Sequence, residues 1–416
     1  MKKRYYLTTP LYYVNGEPHV GHIYTTILAD TIARYKRMCG HDVLALTGTD
    51  EHGLKIERAA REQDMEPQDL TDKYAQTFTE AWESLGIRFD EFIRTTQPRH
   101  FAAVHEIAKR IREKGFIYLG EYSGNYCVSC EAYVPEGEST CPDCGRPTEH
   151  MTEESYFFKL SAFQDQLLAF YENNPNFVIP ATRMNEIVSF VRSGLRDISI
   201  SRTSFHWGIP FPDDPKHIFY VWFDALTGYL SGIGFGNPEM DYTRAWPAEV
   251  QLIGKDILRF HAVYWPAFLM AAGLEPRKHI LVNGWWTVNG EKMSKSRGNF
   301  ITAKELSEKF PADYIKYFMV REIPIGGDGD FSYEALVQRI NSDLANDIGN
   351  LTNRTLKMIH NYFEGKIPEP GDTEGGDNEV MRFSRETVEL YRKYFDGFQI
   401  NKAMENVWEL ISVTNR

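Results

Sequence analysis

Two short stretches of this 416-residue chain carry side chains suited to gripping a polyphosphate. The first is Pro18-His19-Val20-Gly21-His22. The second is Lys292-Met293-Ser294-Lys295-Ser296, with Val288-Asn289-Gly290-Glu291 before it and Arg297-Gly298-Asn299 after. A lysine ammonium is a compact point charge on a long, flexible stem, which fits a phosphate chain. Lys292 and Lys295, set among small hydroxyls and glycines, make a mobile cationic loop. His19 and His22 fall on the first turn of an expected helix, on one side of it. There the unpaired N–H groups and the dipole favour anions. Gly21 removes a side chain where a nucleotide would approach the backbone. Taken singly, each stretch has a blander reading, a solvated loop and two surface histidines near a cap.

The elements that must position these groups alternate in type. Residues 3–14 read as an apolar, aromatic strand, broken by Asn15-Gly16. From Pro18 onward Ile23, Ile27, Ala29, Ile32, Ala33 and Tyr35 recur at helical spacing, and Gly40 closes the helix. Asp42–Thr47 is a buried strand candidate, followed by Gly48-Thr49-Asp50-Glu51-His52-Gly53. In a parallel α/β sheet ligands gather beyond the carboxyl ends of strands, so Asp50 is placed to hold a cation. An aspartate in such a place is more commonly a turn or cap residue. The α/β pattern resumes at Ile218–Asp224, and a further strand, Val250–Ile253, ends in Gly254-Lys255-Asp256. A helix with Phe260, His261 and Trp265 follows. From about Tyr333 the chain is helical to Arg416, apart from a Gly, Pro and Glu-rich loop at 365–377. No repeats are visible.

Four of the five cysteines form two C-x-x-C pairs, Cys127/Cys130 and Cys141/Cys144. Four thiolates so spaced supply a closed, tetrahedral shell for one structural zinc ion. Gly145 allows a tight turn after the second pair. A redox pair is the alternative, and a disulfide suits a cytosolic chain poorly. Cys39, beside Gly40 at a helix end, reads as a lone buried thiol. The apolar content of 42% with 25% charged residues is ordinary for a globular protein of two to four domains. No run approaches the ~18 apolar residues of a membrane span, and the N-terminus lacks a signal-peptide pattern. The expected location is the cytoplasm, with no membrane partner. A net charge of −12 disfavours broad nucleic-acid binding but leaves room for a local basic surface that takes one RNA.

Together the two phosphate-gripping stretches resemble the paired motifs of class I aminoacyl-tRNA synthetases, His-(Ile/Val)-Gly-His and Lys-Met-Ser-Lys-Ser. Both are matched at full length, in order, on either side of a long insertion. Over nearly the whole chain the resemblance is to the methionyl-tRNA synthetases. It rests on Pro10–Gly16 leading into His19–His22, on Tyr220–Ala225, Ile253–Ile257 and Phe260-His261, and on Val288–Gly298. The fold it implies is α/β: a split Rossmann-type parallel sheet with an inserted zinc-knuckle domain and a C-terminal α-helical bundle. The expected domains are residues 1–115 and 206–275 for the two Rossmann halves, 116–205 for the insertion, 276–335 for a stem-contact region and 336–416 for an anticodon-binding bundle.

The resemblance implies methionine activation by Mg2+-bound ATP, then transfer of the methionyl group to tRNA(Met). It assigns His19, His22, Lys292 and Lys295 to catalysis, and adds Gly21, Gly254, Asp256 and Ser294 to the ATP contacts. The methionine pocket is Leu11, Tyr13, Trp222, Leu226, Tyr229, Ile257, Phe260 and His261, with Asp50 on the α-ammonium. Aromatic rings pack well on a polarizable thioether, and one polar contact from Tyr13 or His261 would separate methionine from leucine. The family commonly has proline where this chain has Leu226, which keeps an apolar wall. Asn350 and Arg354 match the anticodon-reading pair; on a helical wheel they share a face with Lys357, opposite Leu344, Ile348, Leu351 and Ile359. The family's anticodon-stacking tryptophan comes after a helix like the one holding Trp408. The sequence stops at Arg416, before it, and reads as truncated. Trp408 itself reads as core. The leucyl, isoleucyl and valyl enzymes carry an editing insertion for which residues 116–205 leave no room. Two rivals are a small nucleotidylyltransferase, which lacks this insertion and helical tail, and a non-catalytic RNA-binding paralogue, in which motif histidines or lysines are usually lost.

Overall fold

A computed structural model describes residues 3–128, 132–134, 139–142, 145–293, 299–369, 371 and 375–415. These form two compact units, residues 1–18 with 28–283, and residues 19–27 with 284–416.

The first unit is built on a six-stranded sheet. Its strands are β1 (Arg4–Tyr13), β2 (Asp42–Asp50), β3 (Glu91–Arg94), β4 (Val178–Ile179), β5 (Val250–Gly254) and β6 (His279–Asn283). They lie in the order β3-β2-β1-β5-β6-β4, every pair parallel. The order reverses direction between β1 and β5, and such a switch point opens a crevice at the carboxyl ends of the strands. Parallel strands covered on both faces read as near-continuous apolar runs; in β1, Tyr5 to Pro10 are all buried. The short edge strand β4 falls inside the 116–205 range expected to be an insertion. The rest of that range holds a separate antiparallel sheet of Ala132–Tyr133, Ile117–Cys127, Glu149–Phe158 and Ile198–Ser199.

Helix α1 (Val20–Met38) follows β1, and α2 (Pro98–Glu113) and α3 (Val221–Ser231) pack together in the same unit as the sheet. Ile218–Phe219 belong to a small antiparallel sheet rather than the central one, so Trp222 and Asp224 sit on the first turn of α3. Cys39 departs from expectation. It lies past the end of α1 and is exposed, because the helix stops at Met38 and the turn to Gly40 carries the thiol outward.

In the second unit, β7 (Trp286–Val288) pairs antiparallel with β8 (Glu291–Lys292) and parallel with β9 (Gly329–Phe331). Helices then run to the end, including α4 (Asn350–Phe363) and α5 (Ile400–Thr414), with Gly375–Asp396 packed on α5. Trp408 on α5 is half-buried, its ring 4.7 Å from that of Tyr317 and its Nε1 donating to the Asp343 carbonyl at 3.3 Å. It is a packing residue, as its place in the helix implied. Among the described residues no helix is long and apolar enough to cross a membrane.

Candidate active site

All nine residues of the expected methionine pocket lie in the first unit, on β1, β2 and α3 and in the segment that follows β5. Pro10 has no N–H to give the ladder, and the register between β1 and β2 shifts between Thr8 and Leu11. Beyond the shift Leu11 pairs with Gly48 and Tyr13 with Asp50. Asp50 is buried. The Tyr13 hydroxyl donates to the His52 carbonyl at 3.0 Å, and the Lys55 ammonium lies 4.6 Å from the Tyr13 ring centre.

Helix α3 offers Trp222, Leu226 and Tyr229, spaced four and three apart and so on one face. Between them Gly228 admits Leu11: a Cβ there would lie 2.3 Å from Leu11 Cδ1. Ile257 follows β5, and Phe260 and His261 come from a widened helical turn, Phe260–Tyr264. Trp222 stacks on Phe260 with ring centres 3.9 Å apart and planes 8° apart, while His261 meets Trp222 edge-on at 6.1 Å. The apolar members all belong to, or pack against, the main core cluster.

One hydrogen-bonded pair fixes the polarity of this pocket. His261 Nδ1 lies 2.9 Å from the Ile257 carbonyl and its Nε2 lies 2.9 Å from the Tyr229 hydroxyl. A carbonyl only accepts, so Nδ1 carries the proton and Nε2 accepts from Tyr229. Burial pushes the His261 pKa down to about 3, and the Arg277 guanidinium adds to the shift. The imidazole is therefore neutral near pH 7. Arg277 is not legible as a site neighbour: two residues before a strand and next to Lys278, a charged residue reads as surface. It is 2% exposed, stands 5.5 Å from the Tyr229 ring centre, and burial pushes its pKa down to about 9.

Gly254 and Asp256, at the carboxyl end of β5, also belong to the first unit. Asp256 folds back over Gly254, where a Cβ would lie 2.7 Å from its Oδ1.

In the second unit the two motif histidines close the start of α1 on themselves. His19 precedes the helix rather than sitting in its first turn. The Gly21 N–H donates to His19 Nδ1 at 3.1 Å and the His19 N–H to His22 Nδ1 at 3.3 Å. This is a reciprocal capping arrangement built from imidazoles in place of the usual hydroxyl and carboxylate. The rings lie 3.9 Å apart, centre to centre. Because both Nδ1 atoms accept, the neutral rings carry their protons on Nε2, the donor an anion needs. A Cβ at Gly21 would lie 3.0 Å from His19 Cε1. The glycine thus first makes room for the His19 ring. The Lys292 backbone stands on a two-residue hairpin, with Asn289 at φ 52° and Gly290 at φ 76°. Two positive φ angles in an Asn-Gly pair are what a type I′ turn requires. The Lys292 side chain, Ser294 and Lys295 lie outside the described residues.

Cys127 and Cys141 are buried together with Val134. The Gly145 N–H donates to the Cys141 carbonyl at 2.8 Å, with Gly145 at φ 69°, the tight turn expected after the second pair. Cys130 and Cys144 lie outside the described residues, among which no group of three metal-binding side chains occurs. Asn350, Arg354 and Lys357 on α4 are exposed. Leu344, Leu351 and Ile359 are half-buried, whereas Ile348 is 40% exposed.

The chain is similar to known proteins along its length. The family model described as "tRNA synthetases class I (M)" matches residues 5–153 and 144–356. The chain is 46% identical to the methionine–tRNA ligase of Caldanaerobacter subterraneus subsp. tengcongensis over 420 residues, covering 100% of this chain and 66% of that protein. It is 47% identical to the Thermotoga maritima enzyme, covering 99% and 67%. It thus spans about two thirds of these relatives' length. The structure of Mycobacterium tuberculosis methionyl-tRNA synthetase in complex with methionyl-adenylate superposes with a TM-score of 0.97 at 45% identity, covering 99% of this chain and 83% of that one. With the family model spanning most of its length and these relatives alike along all of it, the chain belongs to the class I tRNA synthetases, in the group described as (M).

Proposed function

We propose that this protein is a methionine–tRNA ligase. It joins methionine to the α-phosphate of Mg2+-bound ATP, giving methionyl-adenylate and pyrophosphate, and passes the methionyl group to the 3′ end of tRNA(Met) in the cytoplasm. The observation that carries this reading is the Trp222–Phe260 stack beside the Tyr229–His261 pair. An apolar, aromatic slot with one neutral polar end suits a thioether better than a branched aliphatic side chain or an ion. Asp50 binds the α-ammonium.

In the reaction a carboxylate oxygen of methionine bonds to the α-phosphorus while the bond to pyrophosphate breaks. His19 and His22 donate from Nε2 to the phosphates, and Lys292 and Lys295 meet the charge that develops on pyrophosphate. Gly21, Gly254, Asp256 and Ser294 complete the ATP contacts. Catalysis is positioning plus electrostatic stabilisation. Asn350 and Arg354 read the anticodon from the exposed face of α4. The division into catalytic halves (1–115 and 206–275), insertion (116–205), stem-contact region (276–335) and helical bundle (336–416) belongs to the same reading.

The thiols of Cys127, Cys130, Cys141 and Cys144 fit one zinc ion, which when bound would fix the fold of the insertion and take no part in the chemistry. Metal analysis of the purified protein should find one zinc per chain; none, with all four thiols reactive, refutes that assignment. The activity itself is tested by pyrophosphate–ATP exchange. Exchange that depends on methionine, and not on leucine or cysteine, is expected; exchange that depends on another amino acid overturns the reading.

A further inference from the structure

Asp224 is an anomaly in its helix. It sits in the apolar run Val221-Trp222-Phe223-Asp224-Ala225-Leu226 and is wholly buried. A carboxylate taken out of water is costly unless its oxygens are fully engaged. Both are. Oδ2 lies 2.7 Å from His52 Nδ1 and Oδ1 lies 2.6 Å from His100 Nε2. Burial by itself raises the Asp224 pKa, but the histidines overcome this and hold it below the usual carboxylate range. An ionised carboxylate only accepts, so both facing ring nitrogens donate to it. The far nitrogen of His100, Nδ1, meets Ser231 Oγ at 2.8 Å, which returns the chain of contacts to α3.

Three elements meet at this carboxylate. His52 lies just past the carboxyl end of β2, two residues after Asp50. His100 lies in the first turn of α2. Asp224 lies on α3, between Trp222 and Leu226. The His52 carbonyl in turn accepts the Tyr13 hydroxyl. The His52 ring packs near Phe101 and Trp207, and the Trp207 Nε1 donates to the Glu51 carbonyl. The Tyr13 link ends on a pocket residue and the Trp207 link on Glu51, the chain neighbour of Asp50, while Asp224 and Ser231 stand on the helix that carries Trp222, Leu226 and Tyr229. Buried ionic networks are weak sources of stability, since apolar residues of similar volume often do as well. What such a network supplies is a single geometry.

We propose that Asp224 is a positioning residue for methionine: through His52 and His100 it holds the Asp50–Tyr13 side of the pocket at a fixed distance from the Trp222–Leu226 side. This rests on the pocket's being methionine's, so the test has one arm that needs no amino acid. Asp224→Asn keeps the shape, but its single carbonyl oxygen accepts from one histidine while its amide N–H confronts the other. In the unliganded protein, amide hydrogen exchange should quicken in peptides covering 50–53, 98–104 and 221–226. In pyrophosphate exchange, KM for methionine should rise about tenfold, with KM for ATP and kcat changed less than about twofold. A merely structural role would lower the melting temperature and the active fraction, and so kcat, but leave KM for methionine alone.

Unchanged hydrogen exchange in those peptides overturns the proposal. So does an unchanged methionine KM in a chain whose wild type is active. If the wild type shows no methionine-dependent exchange, the functional reading fails, and the hydrogen-exchange arm still decides whether Asp224 fixes the pocket. Should Asp224→Asn not fold, the pair His100→Leu and His100→Gln replaces it. The leucine should raise methionine KM, and the glutamine, whose amide still donates to Oδ1, should restore it; equal KM values in the two variants overturn the proposal.

Discussion

Removing one oxygen atom, in Tyr229→Phe, tests the polarity assigned to the pocket. The hydroxyl donates to His261 Nε2 at 2.9 Å. Both residues of the pair are buried. His261 cannot escape by protonation near neutral pH, because its pKa is pushed down to about 3. Nor can it reverse its tautomer cheaply, because Nδ1 would then give up the Ile257 carbonyl. Phenylalanine fills almost the same volume, so little of the cost is a cavity. Stranding one buried polar atom, His261 Nε2, costs about 1–3 kcal/mol of folding stability. Urea denaturation of both proteins, with equal slopes, reads this difference directly. Because His261 belongs to the proposed methionine pocket, KM for methionine should rise as well. A Tyr229→Phe protein as stable as the wild type, with unchanged KM, would refute the assigned hydrogen bonds.

Three further outcomes are expected. Trp222→Ala removes the ring stacked 3.9 Å from Phe260; the ring is only half-buried, so methionine binding should weaken by roughly 2–4 kcal/mol, measured by calorimetry. An unaltered affinity places the thioether elsewhere. Lys295→Ala should slow adenylate formation by ~2–4 kcal/mol in single-turnover assays while sparing methionine affinity, since the lysine acts on charge that develops in the transition state. Near-normal rates would reduce the loop to a solvated turn. His261 makes stability depend on acid. Its folded pKa of about 3 lies below its unfolded value of about 6.5, so between these the unfolded chain binds more protons. The stability His261 contributes is whole above about pH 6.5 and drains away as pH falls toward 3. His261→Gln should flatten the stability curve there, and equal slopes in the two proteins would contradict the buried, neutral imidazole.

Much of this architecture is legible in the sequence, for reasons that are local. Strand β1, helix α1 and strand β2 announce themselves by an aromatic run, a 3.6-residue period and turn residues at Asn15-Gly16 and Gly40. The proposed pocket residues come from the resemblance, and the geometry adds what no spacing encodes. The reciprocal capping by His19 and His22 depends on which ring nitrogen faces which backbone N–H. The two-residue strand β4 carries too little pattern to be seen, and only its pairing with β6 makes it part of the sheet. Cys39 was misjudged because apolar periodicity does not tell which side of a helix end faces water. Asp224 carries half a signal: an acidic residue inside an apolar helical run must be paired, but its partners, His52 and His100, lie 172 and 124 residues away in sequence.

The central claim is that the Trp222–Phe260 slot takes a methionine side chain. A structure of this chain with a non-hydrolysable methionyl-adenylate analogue tests it most directly. The sulfur should lie among Leu11, Trp222, Tyr229 and His261, with the α-ammonium on Asp50. A thioether lying outside that slot, or an α-ammonium held by groups other than Asp50, would contradict it.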